Sequence, residues 1–428
     1  MTRFDQELSQ RLESLREQGL YRELRRVDSP QTTRIEISGK TYLNFSSNDY
    51  LALAFEPEVR AAASEAAANY GAGSGASRLI CGSLKPHHEL EETLADFKGT
   101  EAALAFSSGY ATAVGTIGAL VGKDDVIVVD KLVHACVVDA ARLCGAALRV
   151  FAHNDMNDLD AVLRWASERA SKQTGAHCGR TLVVTESVFS MDGDHAPLRE
   201  MVELKERHGA WLMVDEAHGV GLYGTNGRGL ADELGVAQRI EVQMGTLGKA
   251  LGASGGYICG SRVLIDYLVN RARSFIFSTA PVPAAAAAAR TAITLARGPL
   301  GDQRRTRLWS LCASLTGLKN KNGDGTGFTG LTGFEESDSE FSVLNPVNPV
   351  NPVYSQNRSV IIPIHIGDEV EALRVAAALR EEGIFIPAVR FPTVARGTAR
   401  LRLTVSAAHQ PEDVHRLIEA LTRLNVRL

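Results

Sequence analysis

Apolar residues at Phe4, Leu8, Leu12, Leu15 and Leu20 recur among charged neighbours at helical spacing, which predicts an amphipathic helix over residues 3–20 lying on the body of the protein. Thr33–Phe45 alternates instead, with Ile35, Ile37, Tyr42 and Leu43 apolar around Gly39-Lys40, and so reads as a β-hairpin that ends in the polar loop Ser46-Ser-Asn-Asp-Tyr50. The next stretch, Gly71-Ala-Gly-Ser-Gly-Ala-Ser-Arg78, has too many glycines for a regular element. Its backbone is expected to approach a ligand or a partner chain, with a flexible linker as the alternative. A helix over His88–Phe97 follows.

Between about 101 and 260 short apolar runs alternate with helical stretches. The runs are Ala102–Phe106, Val126–Val129, Ala147–Phe151, Leu182–Thr185, Trp211–Asp215 and Gly256–Cys259. Such alternation predicts an α/β fold with a mostly parallel sheet and helices on both faces. Ligands of these sheets bind beyond the carboxyl ends of the strands, where this chain places Ser107–Tyr110, His153–Asp155, Glu186–Ser190 and Asp215–His218. Residues of about 320–358 are rich in Gly, Asn, Ser and Thr and carry the triplets Asn345-Pro-Val-Asn-Pro-Val-Asn-Pro-Val353, the composition of an irregular surface insertion. After it come a strand Val360–His365, a helix Val370–Glu382 closed by Gly383, strands Ile384–Arg390 and Ala399–Val405, and a last helix Pro411–Leu424. The expected organisation is an N-terminal segment (1–45), a large domain (46–290) and a smaller α+β domain (291–428).

Composition narrows the function. The 428 residues are 45% hydrophobic and 22% charged with a formal net charge of −4, which suits a soluble globular enzyme. No Lys/Arg block is long enough to follow a phosphate backbone, which argues against nucleic acid as a partner. The most apolar run, Pro283–Ala289, is far short of the ~20 residues that span a bilayer, so no membrane role is expected. The charged start Met-Thr-Arg-Phe-Asp-Gln-Glu-Leu lacks the apolar core of a signal peptide, and a cytoplasmic location is expected. The six cysteines, 81, 136, 144, 178, 259 and 312, form no C-x-x-C pair; they read as reduced core thiols, and no metal site is expected.

Within Met244-Gly-Thr-Leu-Gly-Lys-Ala-Leu-Gly-Ala-Ser-Gly-Gly-Tyr257, Lys249 stands among small residues. A flat ligand can approach such a lysine, and a desolvated amine can form a Schiff base; a glycine-rich surface turn is the competing reading. Asp215 ends an apolar run, where a buried carboxylate needs a cationic partner such as a pyridinium nitrogen. Gly109 and Tyr110 open a helical run, Ala111–Leu120, whose N-terminal amides would face an anion. His218 and Ser190 could both donate to a phenolic oxygen. No phosphate-loop lysine motif or dinucleotide fingerprint is present, which weakens a plain nucleotide-binding module.

Four stretches taken together, Asp215-Glu-Ala-His-Gly219, Gly245-Thr-Leu-Gly-Lys-Ala250, Thr185–Asp194 and Phe45–Tyr50, resemble the α-oxoamine synthases, which are fold-type I pyridoxal-phosphate enzymes. The resemblance covers nearly the whole chain outside 320–358. It implies a large domain with a mostly parallel sheet plus a small α+β domain, and a decarboxylating condensation of an amino acid with an acyl thioester. Asp215–Gly219, Ile386–Thr393 and Gly397–Arg402 are closest to members that join L-alanine to a pimeloyl thioester in biotin synthesis, carried by coenzyme A or an acyl carrier protein. A glycine C-acyltransferase using a short acyl-CoA is the alternative.

Carried across, the resemblance makes Lys249 the covalent anchor of pyridoxal 5′-phosphate and the carrier of the α-proton. Asp215 pairs with the ring nitrogen, His134 stacks on the ring, and His218 and Ser190 contact the 3′-oxygen. Gly109, Tyr110 and Thr246 hold the phosphate. Arg22, Asn48, His134, Thr393 and Arg402 handle substrate, with Asn48 and Arg402 on the amino-acid carboxylate, and Glu186 supports the site from behind. Ser278 and Thr279 reach the phosphate in the other subunit of a homodimer with shared sites.

Overall fold

The computed structural model describes residues 1–172, 179–321 and 358–427, so Cys178 and nearly all of the insertion expected at about 320–358 lie outside the described residues. The apolar runs become strands buried along almost their whole length, except the edge strand Ala147–Phe151, where Arg149 and Val150 are exposed. In chain order the strands are β1 (Arg34–Ile37), β2 (Lys40–Asn44), β3 (Ala102–Phe106), β4 (Val126–Asp130), β5 (Ala147–Phe151), β6 (Thr181–Glu186) and β7 (Trp211–Asp215). They continue with β8 (Val242–Thr246), β9 (Gly256–Gly260), β10 (Ile361–Gly367), β11 (Ile384–Phe385), β12 (Ala388–Val389) and β13 (Ala399–Thr404).

A seven-stranded sheet runs in the order β3-β9-β8-β7-β6-β4-β5. It is parallel except for β9, which lies antiparallel between β3 and β8. Both faces are covered, which is why these strands read as unbroken apolar runs rather than alternating ones. Side chains alternate across the sheet: Leu182, Val184 and Met213 pack towards the helices Gly109–Leu120 and Ala135–Cys144, while Val183, Leu212 and Val214 pack towards Met156–Ser171 and Leu198–Arg207. Register then brings the carboxyl ends of the parallel strands into line, with Glu186 opposite Asp215 and Asp215 opposite Met244. The antiparallel β9 enters at the same end, pairing Gly256 with both Thr246 and Phe106.

The remaining strands form two three-stranded sheets, β1-β2-β11 and β10-β13-β12. Ile384 pairs with Leu43 and Phe385 with Asn44, so the N-terminal hairpin is completed by a strand from the C-terminal part of the chain. The expected single strand Ile384–Arg390 is instead two short ones in different sheets. Pro387, which has no N–H to give to a ladder, lies in the break.

Other differences have equally local causes. The hairpin turn falls one residue earlier than expected, on Ser38 and Gly39, both with positive φ. The first helix ends at Glu17, and its Phe4, Leu8, Leu12 and Leu15 stay exposed, so its apolar face does not lie on the rest of the chain as anticipated. Cys136, Cys259 and Cys312 are core thiols, but Cys81 is exposed and Cys144 only half-buried. Among the described residues, no helix is long and apolar enough to cross a membrane.

Candidate active site

Lys249 is reached through a tight loop after β8. The Ala253 N–H donates to the Leu247 carbonyl and the Gly252 N–H to that of Lys249, both at 2.8 Å. Gly252 has φ +59°, and a Cβ there would meet the backbone of Leu53 and Ala54 at 2.3–2.5 Å. Only glycine lets this loop lie against the segment that begins at Tyr50. Lys249 Nζ lies 2.7 Å from His218 Nε2. Burial pulls the lysine's pKa down, opposed by the carboxylates of Asp215 and Glu186.

The turn after β7 places the other partners. Asp215 Oδ1 accepts the Ala217 N–H at 2.8 Å, its one side-chain hydrogen bond among the described residues, and the Gly219 N–H closes onto the Glu216 carbonyl at 2.8 Å. The same turn carries His218, whose ring spans from Tyr50 to Lys249. Burial raises the pKa of Asp215 while the Lys249 charge opposes it; burial also drives His218 well below the usual imidazole range, with Lys249 and Arg402 adding to the effect. His218 is therefore neutral. Glu186, fully buried at the end of β6, has its pKa raised by burial and by the nearby Asp215; it accepts the backbone N–H groups of His134 and Ser190, and its Oε1 has no partner.

His134 caps the helix Ala135–Cys144, its Nδ1 accepting the Cys136 N–H at 3.2 Å with Cys136 Sγ 3.1 Å away. Nδ1 is thus an acceptor and the proton of the neutral ring sits on Nε2. The helix Gly109–Leu120 begins at the end of β3 with Ser108 as its cap. A Cβ on Gly109 would meet Thr246 Cγ2 at 2.6 Å, and one on Gly256 would meet the Gly109 Cα at 2.8 Å. Thr246 Oγ1 is buried there without a partner, which suits an anion at the helix end.

Arg402 lies inside β13 and reaches across from the small sheet. Its Nε donates to the Ser190 carbonyl at 2.6 Å, Nη1 to Asn48 Oδ1 at 3.0 Å and Nη2 to the Tyr50 oxygen at 3.3 Å. Arg390 is spent on the carbonyls of Gly19 and Tyr21. Arg22 donates to the Phe391 carbonyl at 3.3 Å, and the Thr393 N–H donates to the Arg390 carbonyl at 3.0 Å, so Arg22 lies against the turn that carries Thr393. Ser278 Oγ donates to the Thr279 carbonyl, and among the described residues of one chain neither residue hydrogen-bonds to the lysine cluster.

Two groups have no individual role assigned from sequence. Tyr50, wholly buried, bridges His218 and Asn48. His153 is held between Asp130 Oδ1 at 2.9 Å and Asp194 Oδ2 at 2.7 Å, tying the end of β4 to the loop that carries Ser190. Burial lowers the pKa of His153, but the two carboxylates outweigh it and lift the group from 6.5 to about 10. A folded-state pKa raised in this way stabilises the fold fully below about 6.5, and the contribution is lost as pH climbs through about 10. With the ring 24% exposed, we expect His153→Gln to cost on the order of 2–4 kcal/mol near neutrality and almost nothing above pH ~10. Melting curves of both proteins at pH 6.5 and 10.5 check this, and an equal difference at the two pH values contradicts it.

A cavity of about 580 Å³ opens at the other end of the strands, lined by Trp211, Gln243 and Tyr267 among others. Its Glu241 is already bonded to Lys205 and the Leu212 N–H, and it gathers no amine or imidazole. The chemistry belongs to the lysine end.

Residues 40–421 match the aminotransferase class I and II family. The similar curated proteins include an 8-amino-7-oxononanoate synthase from Anaeromyxobacter sp. (strain K), 47% identical over 96% of this chain and 93% of that one. Another 8-amino-7-oxononanoate synthase, from Geobacter sulfurreducens, is 44% identical over 97% of each chain. Among solved structures, a serine palmitoyltransferase variant from S. paucimobilis with bound PLP–myriocin aldimine superposes with a TM-score of 0.82 at 28% identity, covering 97% of this chain and 96% of that one. The chain belongs to the aminotransferase class I and II family and, within it, to the family of the 8-amino-7-oxononanoate synthases.

Proposed function

We propose that this protein condenses L-alanine with a pimeloyl thioester and releases carbon dioxide, giving 8-amino-7-oxononanoate and the free acyl carrier in biotin synthesis. The observation that carries the reading is the buried Lys249 amine, 2.7 Å from a neutral imidazole and electrostatically coupled to the buried Asp215 carboxylate.

The site fits pyridoxal 5′-phosphate on its own features. Asp215 keeps one oxygen free of any described side-chain partner, Thr246 Oγ1 is an orphan beside a helix N-terminus, and Lys249 is desolvated. When bound, that cofactor supplies a protonated ring that withdraws electrons from the amino acid's α-carbon. Asp215 holds the ring nitrogen's charge. Gly109 and Tyr110 amides with Thr246 would hold its phosphate, His134 would stack on its ring, and His218 and Ser190 would contact its 3′-oxygen. Glu186 fixes the backbone of His134 and Ser190. Asn48 and Arg402 take the alanine carboxylate, and Lys249 removes and returns the α-proton.

Arg22 meets the loop that carries Thr393, a place suited to the acyl substrate. Ser278 and Thr279, which do not join their own chain's cluster, belong in this reading to a homodimer, where Ser278 of the partner subunit and Thr279 of the partner subunit complete the phosphate site. The acyl carrier is coenzyme A or an acyl carrier protein, and the location is cytoplasmic. The test is product mass spectrometry with alanine or glycine against both pimeloyl thioesters. We expect 8-amino-7-oxononanoate from alanine; a clear preference for glycine overturns the reading.

A further inference from the structure

We propose that Tyr50 is a positioning residue of this site: its hydroxyl, shared between His218 Nδ1 and Asn48 Oδ1, decides which imidazole nitrogen carries the proton and so ties the carboxylate-binding pair Asn48 and Arg402 to Lys249. The inference rests on the site reading above.

Tyr50 is 0% exposed, and its oxygen meets three polar atoms: His218 Nδ1 at 2.8 Å, Asn48 Oδ1 at 3.0 Å and Arg402 Nη2 at 3.3 Å. A phenol has one proton and two lone pairs. Burial, against the pull of Arg402, raises its pKa, so the proton stays on. A guanidinium only donates, and Arg402 therefore uses one lone pair.

Asn48 is oriented by the same arginine. Arg402 Nη1 donates to Asn48 Oδ1, and a flipped amide would set N–H against N–H. Oδ1 can only accept, so the Tyr50 proton goes to it. His218 Nδ1 must then be the donor to the remaining Tyr50 lone pair. His218 is neutral, so in the cofactor-free chain Nε2 is left as an acceptor, and Lys249 Nζ sits 2.7 Å from it. One proton arrangement thus satisfies every polar atom from Arg402 to Lys249. Removing the hydroxyl leaves Nδ1 without its acceptor in a buried position, and the reason for a single tautomer disappears.

Tyr50→Phe keeps the ring that fills the core. Nitrogen-15 NMR of histidine in the full-length, cofactor-free chain reads the tautomer directly. We expect His218 of the unmodified protein to be Nδ1-protonated only, and the variant to show both tautomers. In the holoenzyme the variant should raise the KM for alanine by ~10-fold while leaving that for the thioester unchanged, since the loosened pair is the one assigned to the amino-acid carboxylate.

An Nε2-protonated His218 in the unmodified chain, or a variant with the same single tautomer, overturns the proposal. The first of these measurements decides the matter even if the variant fails to fold. Borohydride trapping of the cofactor on Lys249 tests the underlying site reading separately, so failure of one is not mistaken for failure of the other.

Discussion

Lys249→Ala folds normally and loses at least ~10³-fold in turnover of alanine with pimeloyl thioester, as expected when the group that both anchors the cofactor and moves the proton is deleted. The folding half of that expectation comes from the loop. Its shape is held by backbone hydrogen bonds at Leu247, Lys249, Gly252 and Ala253, none of which involves the lysine side chain. The catalytic half comes from burial. An amine in water at neutral pH is almost wholly protonated, whereas Lys249 is shifted towards the neutral form that can act as nucleophile and base. Removing its charge also pushes the carboxyls of Asp215 and Glu186 further up, because each is held down by that lysine. Steady-state kinetics together with peptide mass after borohydride reduction provide the check: the unmodified protein carries the cofactor's mass on the Lys249 peptide and the variant carries none. Activity within tenfold of the original would end the assignment.

Asp215→Asn has the second largest expected effect, and it pulls stability and activity in opposite directions. A buried carboxylate whose pKa is raised in the folded state costs stability at every pH above its unfolded value, so the neutral amide should leave the cofactor-free chain as stable as before or more so. The same change removes the counter-charge of a ring nitrogen. Breaking a buried pair from one side costs ~3–5 kcal/mol, or about 10²–10⁴-fold in cofactor retention or turnover. Thermal melts with and without pyridoxal phosphate distinguish the two consequences: the variant's own melting temperature should hold or rise, while the increment produced by cofactor should shrink. A variant that keeps the full increment contradicts a charge-pairing role.

Much of this arrangement was legible because a parallel sheet covered on both faces writes its strands as continuous apolar runs. Ala102–Phe106, Ala147–Phe151 and Trp211–Asp215 were recognisable to the residue. The strand Val242–Thr246 was not recognised, since its Gly245 and Thr246 run into a glycine-rich stretch that looks like a turn. Its glycine serves packing instead, with Tyr257 pressed against the place a side chain would occupy. Tyr50 escaped notice because a tyrosine beside Leu51 and Leu53 resembles any core aromatic, and its partners His218 and Arg402 are distant in sequence. His153 was visible as one of several polar residues beyond a strand; its clamp depends on Asp194, which comes close only when β4 and β6 pair. The exposed stripe of the first helix shows the limit of periodicity, which predicts that a helix has an apolar face but not what that face meets.

The division of labour between the sheets bears on how such enzymes diversify. Lys249, Asp215, His218, Thr246, Glu186 and Gly109 all stand at the ends of one rigid seven-stranded sheet, while Arg402 is delivered by a separate three-stranded sheet through hydrogen bonds to Ser190, Asn48 and Tyr50. Substitutions in the small sheet can shift where a carboxylate or acyl chain is received by fractions of an ångström without disturbing the cofactor machinery. A lineage could therefore explore new amino acids and thioesters by drift in one module while inheriting its chemistry intact from the other.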